Sequence, residues 1–403
     1  MSTLQTTSQL ETALAPSDYQ PAHWGGVLAT TLCVFALVAS EFMPVSLLTP
    51  LATDLRVTEG MAGQGIAISG AFALINSLFI SSLAGNMNRK TLLLALTVMM
   101  GISGAIIALA STYFTYMLGR ALIGVVIGGF WSMSAATAMR LVPTEQVPRA
   151  LAIFNSGNAL AMVIAAPLGA YLGSVIGWRG AFFCLVPVAI IAFVWQWISL
   201  PSMHAQKNTQ VSGNVFKLFR SRLVTLGMVG VGLFFMGQFM LFTYIRPFLE
   251  GVTKADISTV TLVLLVLGVA GFVGTVLIGA VLKRGFYQTL IGIPLLMAVI
   301  AISLIALGNW VAAVVALLCV WGLVGTAAPV GWWAWVARTF PNNAEAGGGL
   351  MVAVVQLSIA LGSTIGGLLF DYSGYQSTFI ASAMLLMISA AVIFLTSRST
   401  SSP

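Results

Sequence analysis

Glu41 places a carboxyl group inside an apolar segment running from about Val27 to Pro50, in a chain with almost no other acid at such a position. A group of this kind can take up and release a proton. An ionisable side chain at bilayer depth is costly, and by default it marks a binding or ion-translocating site. Arg120 is a second charge within an apolar segment. Burial raises the pKa of a carboxylic acid and a nearby guanidinium lowers it, so moving the Arg or admitting water can toggle a proton. Glu41 is therefore expected to carry the proton, alternating between a protonated state with substrate bound and an ionised state held by Arg120 or solvent. The two groups could instead form a fixed ion pair fastening two helices. Catalysis finds no support, because no carboxylate pair, Ser-His arrangement or metal cluster shares a site. Cys33, Cys184 and Cys319 lie singly in apolar helices and read as inert thiols. No cofactor or metal is expected.

The elements that must position these groups are membrane helices. With 59% hydrophobic and 7% charged residues and a mean hydropathy of +1.01, the chain is too apolar for a soluble fold. Twelve apolar runs begin near Val27, Met61, Thr91, Tyr113, Ala150 and Gly180, and near Arg222, Ile257, Gln288, Val311, Gly348 and Phe379. This predicts an all-α membrane protein of two six-helix bundles, 23–200 and 222–396. A linker over 201–221 joins them, with tails over 1–22 and 397–403. The opening stretch has no Lys or Arg ahead of an apolar core, so no cleaved signal peptide is expected.

Lys and Arg accumulate in cytoplasmic loops. Arg89, Lys90, Arg140, Arg149, Lys207, Lys217, Arg220, Arg222, Lys283, Arg284, Arg338 and Arg398 fall on one side, against Arg56, Arg179 and Lys254 on the other. Both termini are expected in the cytoplasm. Topology thus accounts for the net charge of +7, and no nucleic-acid partner is needed. The halves also repeat: Arg140-Leu-Val-Pro143 returns as Arg338-Thr-Phe-Pro341, and Gly177-Trp-Arg-Gly-Ala-Phe182 as Gly374-Tyr-Gln-Ser-Thr-Phe379. Val57-Thr58 and Val252-Thr253, and Pro44 and Pro247, match in the same way. Secondary transporters built from repeats place their sites near the midplane, between the units. There is no phosphate-binding Gly-rich motif with Lys-Ser/Thr, so ATP is not the expected drive.

Several stretches resemble the major facilitator superfamily, in particular its twelve-helix drug:proton antiporter branch. Ser81 to Lys90 is similar to the superfamily's basic loop, keeping Leu83, Ala84, Arg89 and Lys90, with Gly85 and Asn86 where an Asp and an Arg are expected. Leu118-Gly-Arg120 with Gly124 resembles the fourth-helix Arg motif. Ala166-Pro167-Leu168-Gly169 resembles the fifth-helix antiporter motif, which implies export. Glu41 to Pro50, Gly128 to Ser134, Phe242 to Pro247 and Pro329 to Trp332 look most like bacterial purine ribonucleoside efflux transporters. The resemblance spans about Val27 to Thr396. It implies a monomeric, proton-driven antiporter of small polar solutes such as inosine or guanosine, multi-pass in the bacterial inner membrane. It also implies a cavity lined by the first, fourth, seventh and tenth helices.

At ~1.5 Å per residue, Glu41 lies roughly 20 Å from Asp54 and Arg120 ~30 Å from Arg140, so the two could approach one another. Trp131 shares a helical face with Arg120 and Gly124, and its indole could stack on a flat base. Phe235, Phe239, Phe242 and Arg246 share a face of the seventh helix beside Gln238, a stripe that packing alone would also produce. Asn76, Asn155, Asn158, Gln238 and Gln356 sit at apparent depth, where amides must find partners. Together they suit a hydroxylated heterocycle, although helix-to-helix hydrogen bonding would also occupy them. Trp332 and Trp335 read as an interfacial belt. Gly124 with Gly128, and Gly362 with Gly366, are expected to form rocking surfaces, and Pro167 to bend its helix. Multidrug or sugar efflux, an uptake symporter and a non-transporting membrane sensor are the alternatives.

Overall fold

The computed structural model describes residues 22–84, 87–203, 221–340 and 344–399. The opening tail to 21, the linker over 204–220 with its basic residues, Gly85, Asn86, Pro341 and the last four residues lie outside them. So does the side chain of Leu83, at the end of α2.

The apolar runs fold as helices: α1 Trp24–Leu55, α2 Glu59–Ala84, α3 Arg89–Ala108, α4 Tyr113–Arg140, α5 Val147–Val175 and α6 Gly177–Ser199 in the first half. The second half holds α7 Arg222–Gly251, α8 Ile257–Arg284, α9 Phe286–Leu307 and α10 Val311–Thr339. The last helical stretch, Ala344–Ser399, is divided at Gly374 into α11 (344–373) and α12 (375–399). That division gives twelve crossings among the described residues, as the hydropathy pattern predicts. α12 runs on through Ser399, so the boundary expected at 396 falls within the helix.

Local sequence sets the joints. Asn88 and Asp256 cap α3 and α8 by accepting from the backbone N–H groups of Lys90 and Thr259. The repeated Gly177 and Gly374 both adopt positive φ, 75° and 78°, so the sequence repeat is also a repeat of backbone geometry. Asn88 and Arg89 belong to the basic loop. The Asn88 amide donates to the Ser202 hydroxyl and the Arg89 N–H to the Met203 carbonyl, tying the start of α3 to the end of the first bundle. Arg89 also reaches the Met133 sulfur, and the Lys90 backbone N–H takes the Asn88 cap.

Within the first bundle α1 packs on α5 and α6, and α2 on α4; in the second, α7 packs on the α11–α12 stretch and α8 on α10. The bundles meet along α2 with α11 and α5 with α8. Gly124 and Gly128 lie against the Ser69 and Ala73 backbone of α2, and Gly362 and Gly366 against the Met236 and Met240 backbone of α7. These pairs are therefore internal to each bundle and are not the rocking surfaces expected of them. The glycines between the bundles are others. A methyl group at Gly70 would stand 3.0 Å from the Gln356 carbonyl oxygen, and one at Gly268 2.7 Å from that of Val163. Pro167 leaves the Val163 carbonyl without its i+4 donor, so α8 meets α5 where the helical ladder is open.

Candidate transport cavity

α1 carries two interior prolines, Pro44 and Pro50, and each deprives the carbonyl four residues earlier of its helical hydrogen bond. The orphaned acceptors are on Ser40 and Ser46. Buried carbonyls require donors, and two arginines supply them. Arg120 of α4, with no exposed surface, donates to the Ser40 carbonyl (2.8 Å), the Gly65 carbonyl (2.9 Å) and the Ser69 hydroxyl (2.9 Å). Arg246 of α7 donates to the Ser46 carbonyl and pairs with Glu250 at 2.8 Å. The direct Glu41–Arg120 pair allowed by depth is not formed. Arg120 instead braces α4 to α1 and α2, acting on Glu41 through space from the carbonyl of the preceding residue.

Glu41, 9% exposed, opens onto a cavity of about 200 Å³ between the bundles. Trp131 of α4, Asn158 of α5, Gln238 of α7 and Gln356 of α11 share its wall. The Gln356 amide stands against the Glu41 carboxyl. The Oε1 atoms of Gln238 and Gln356 are buried and accept no hydrogen bond. Phe242 lies beyond, on a second chamber of about 40 Å³ that shares Phe42, Met162, Gln238, Phe239 and Thr326 with the first.

Other expected contacts lie elsewhere. The Asn76 amide donates to the Val125 carbonyl at 2.6 Å and braces α2 to α4. Asn155 donates back to the Leu151 carbonyl of its own helix. Arg246 stands at Ser46, away from the cavity wall. Gly169 packs on Met43 and Ser46 where α5 crosses α1, two residues after Pro167. Trp332 and Trp335 are buried inside the second bundle, edge to face at 6.2 Å, and form no interfacial belt. Their neighbour Trp333, 48% exposed, is the indole that reaches the cavity. Phe235 and Phe239, on the aromatic face expected of the seventh helix, reach the wall, whereas Trp333, Phe42 and Met351 were not singled out by sequence, and Trp333 could have been found only from the rotation of α10. Besides α1, α4, α7 and α10, helices α5 and α11 line the wall.

Residues 30–362 match the model of the Major Facilitator Superfamily. The chain belongs to the major facilitator superfamily. It is 67% identical over 397 residues to the "Transcription regulatory protein OpdE" of Pseudomonas aeruginosa, covering 98% of each chain. It is 40% identical over 373 residues to the "Purine ribonucleoside efflux pump NepI" of Salmonella enteritidis, covering 92% of this chain and 93% of the relative. Among solved structures, the nucleoside transporter NupG superimposes with a TM-score of 0.75 at 12% identity, over 92% of this chain and 99% of that one. That likeness is one of fold. The molecule is a multi-pass membrane transporter of this superfamily.

In this member the bundles are latched at the end that carries Arg56 and Lys254. Asp371, on the last turn of α11, accepts from the Thr58 hydroxyl (2.5 Å) and the Gly60 backbone N–H (2.9 Å), capping α2 from the opposite bundle. Beside it the Thr364 hydroxyl donates to Gln64 at 3.0 Å, and Arg246 reaches Ser46 across the same gap. Asp371→Ala is expected to loosen this end by about 1 kcal/mol, raising the unlatched population roughly fivefold. Spin labels at the exposed positions Thr53 and Tyr372 would report a longer-distance population. An unaltered distance distribution would remove Asp371 from the latch.

Proposed function

We propose that the chain is a proton-driven exporter of small hydroxylated heterocycles, with purine ribonucleosides as its solutes, in the bacterial inner membrane. The observation that carries this reading is Glu41 on the cavity wall against Gln356, among the amides of Asn158 and Gln238 and the indoles of Trp131 and Trp333. Flat aromatic faces take a base, and amides take its edge and the sugar hydroxyls. Similarity to the ribonucleoside efflux pump favours the same solute class. The basic-residue asymmetry favours cytoplasmic termini, and with that orientation the Asp371 latch lies outside and the form is inward-facing. One chain bounds the whole cavity, which suits a monomer needing no cofactor beyond the proton gradient.

Antiport requires solute and proton to occupy the cavity in alternate half-cycles. The order is therefore the reverse of the sequence expectation: solute is held while Glu41 is ionised, and the proton displaces it. Counterflow in reconstituted vesicles tests the reading. Inosine or guanosine on one side should drive labelled inosine uphill, while arabinose and a hydrophobic cation should not. Counterflow by the cation alone would move the assignment to multidrug export.

The regulatory name of the 67% identical relative favours a second reading, a membrane sensor that binds solute without moving it. Binding of inosine without counterflow would select it.

A further inference from the structure

Two amide oxygens on the cavity wall, Gln238 Oε1 and Gln356 Oε1, are buried and unpartnered. A buried acceptor left unpaired costs about 1 to 3 kcal/mol, so the cavity is built for something that donates to it. Gln356 is the more informative of the two, because its amide also stands against Glu41 from the opposite bundle. An amide presents a donor at one end and an acceptor at the other, with nearly identical shape. Its backbone is held close to the first bundle, where Gly70 of α2 crosses the Gln356 carbonyl.

We propose that Gln356 converts the protonation of Glu41 into a change in what the cavity accepts. This rests on the proton-driven reading above. An ionised Glu41 has only acceptors, so Gln356 turns Nε2 toward it and shows Oε1 to the cavity beside Gln238 Oε1. The site then requires a solute with N–H or O–H donors, such as a purine carrying a ring lactam N–H. A protonated Glu41 has an O–H to donate, so the amide rotates half a turn, takes that O–H on Oε1 and shows its NH₂ to the solute. The donor of the solute then meets a donor, and the solute leaves. Proton and solute exclude each other through hydrogen-bond polarity, without needing to overlap.

Few other charges act at this point. Arg120 of α4 is the charged group acting on Glu41, with Tyr116 beside it. Arg246 of α7 and Arg179 of α6 meet α1 further along, at Ser46 and Asp54. Among the described residues α2 brings Ser69 to Arg120, and α3 brings Thr97 to the buried Cys33. α5, α10 and α11 bring neutral side chains to the wall.

Equilibrium binding of inosine and of 1-methylinosine, which lacks the lactam N–H, to purified protein between pH 5.5 and 8.5 tests the switch. The wild type should bind inosine about tenfold more weakly at the acid end and prefer it over 1-methylinosine about tenfold at the alkaline end. Gln356→Met, which keeps the volume, and Gln356→Asn, which withdraws the amide by one methylene, should each reduce both effects to less than about twofold. A purely structural role would lower affinity without flattening the pH profile. Retention of the wild-type pH profile and selectivity by the folded variants would overturn the proposal alone. A wild type that binds no inosine at any pH would overturn the export reading and the switch with it.

Discussion

Glu41→Gln is expected to abolish gradient-driven efflux while leaving the protein folded and able to exchange solute. One pH unit stores about 1.4 kcal/mol per proton, enough to concentrate solute about tenfold against its gradient. A glutamine cannot carry that proton, so accumulation in inverted vesicles should fall from this ratio to equilibrium. It keeps the size of Glu41, and its amide oxygen can accept from Gln356 Nε2 as the ionised carboxylate does, so Gln356 can still take the orientation that binds solute. Counterflow, which needs no proton, should therefore persist. Wild-type accumulation by the variant would exclude Glu41 as the carrier and leave the cavity without a titratable group on its described wall.

Arg120→Leu is expected to destabilise the first bundle by on the order of 3 kcal/mol. It removes charge-assisted hydrogen bonds to two carbonyls and a hydroxyl, and it leaves the Ser40 carbonyl without a partner, because Pro44 offers no N–H. Cys33 is wholly buried and hydrogen-bonded with Thr97, so its reaction with a thiol probe on heating reports the opening of this bundle. The variant should react at lower temperature. Pro44→Ala in the same background returns an N–H to the Ser40 carbonyl and should recover about 1 kcal/mol. Such rescue separates a carbonyl brace from an ion pair with Glu41, which Pro44→Ala could not restore.

These two residues show different degrees of legibility. Glu41 could be found from sequence because a carboxyl inside an apolar run is rare, and its depth follows from counting residues along one helix. Arg120 was equally visible, but its partner was not. The acceptors are backbone atoms, freed by Pro44 on one helix and reached from another. Arg246 repeats the case at Ser46, where Pro50 opens the ladder. The prolines were legible; which donor reaches each carbonyl depends on the rotation and spacing of three packed helices.

The amides and indoles divide in the same way. Asn76 and Asn158 are alike in sequence, yet one ties two helices of a bundle together and the other faces the cavity. Trp332 and Trp333 are adjacent, and the 100° step of the helix sends one into the core and the other to the cavity wall. Gly124 and Gly128 announce a close helix crossing but not the helix they cross.

By itself the sequence determined twelve membrane crossings, their repeat in two halves and the isolation of one acid. Each of these follows from the free energy of placing residues in hydrocarbon, which acts along a single helix. Tertiary structure decided which face of each helix meets solute, and so which amides remain unpaired. It also set the end at which Asp371 closes the bundles, because those outcomes depend on helices brought together from distant parts of the chain.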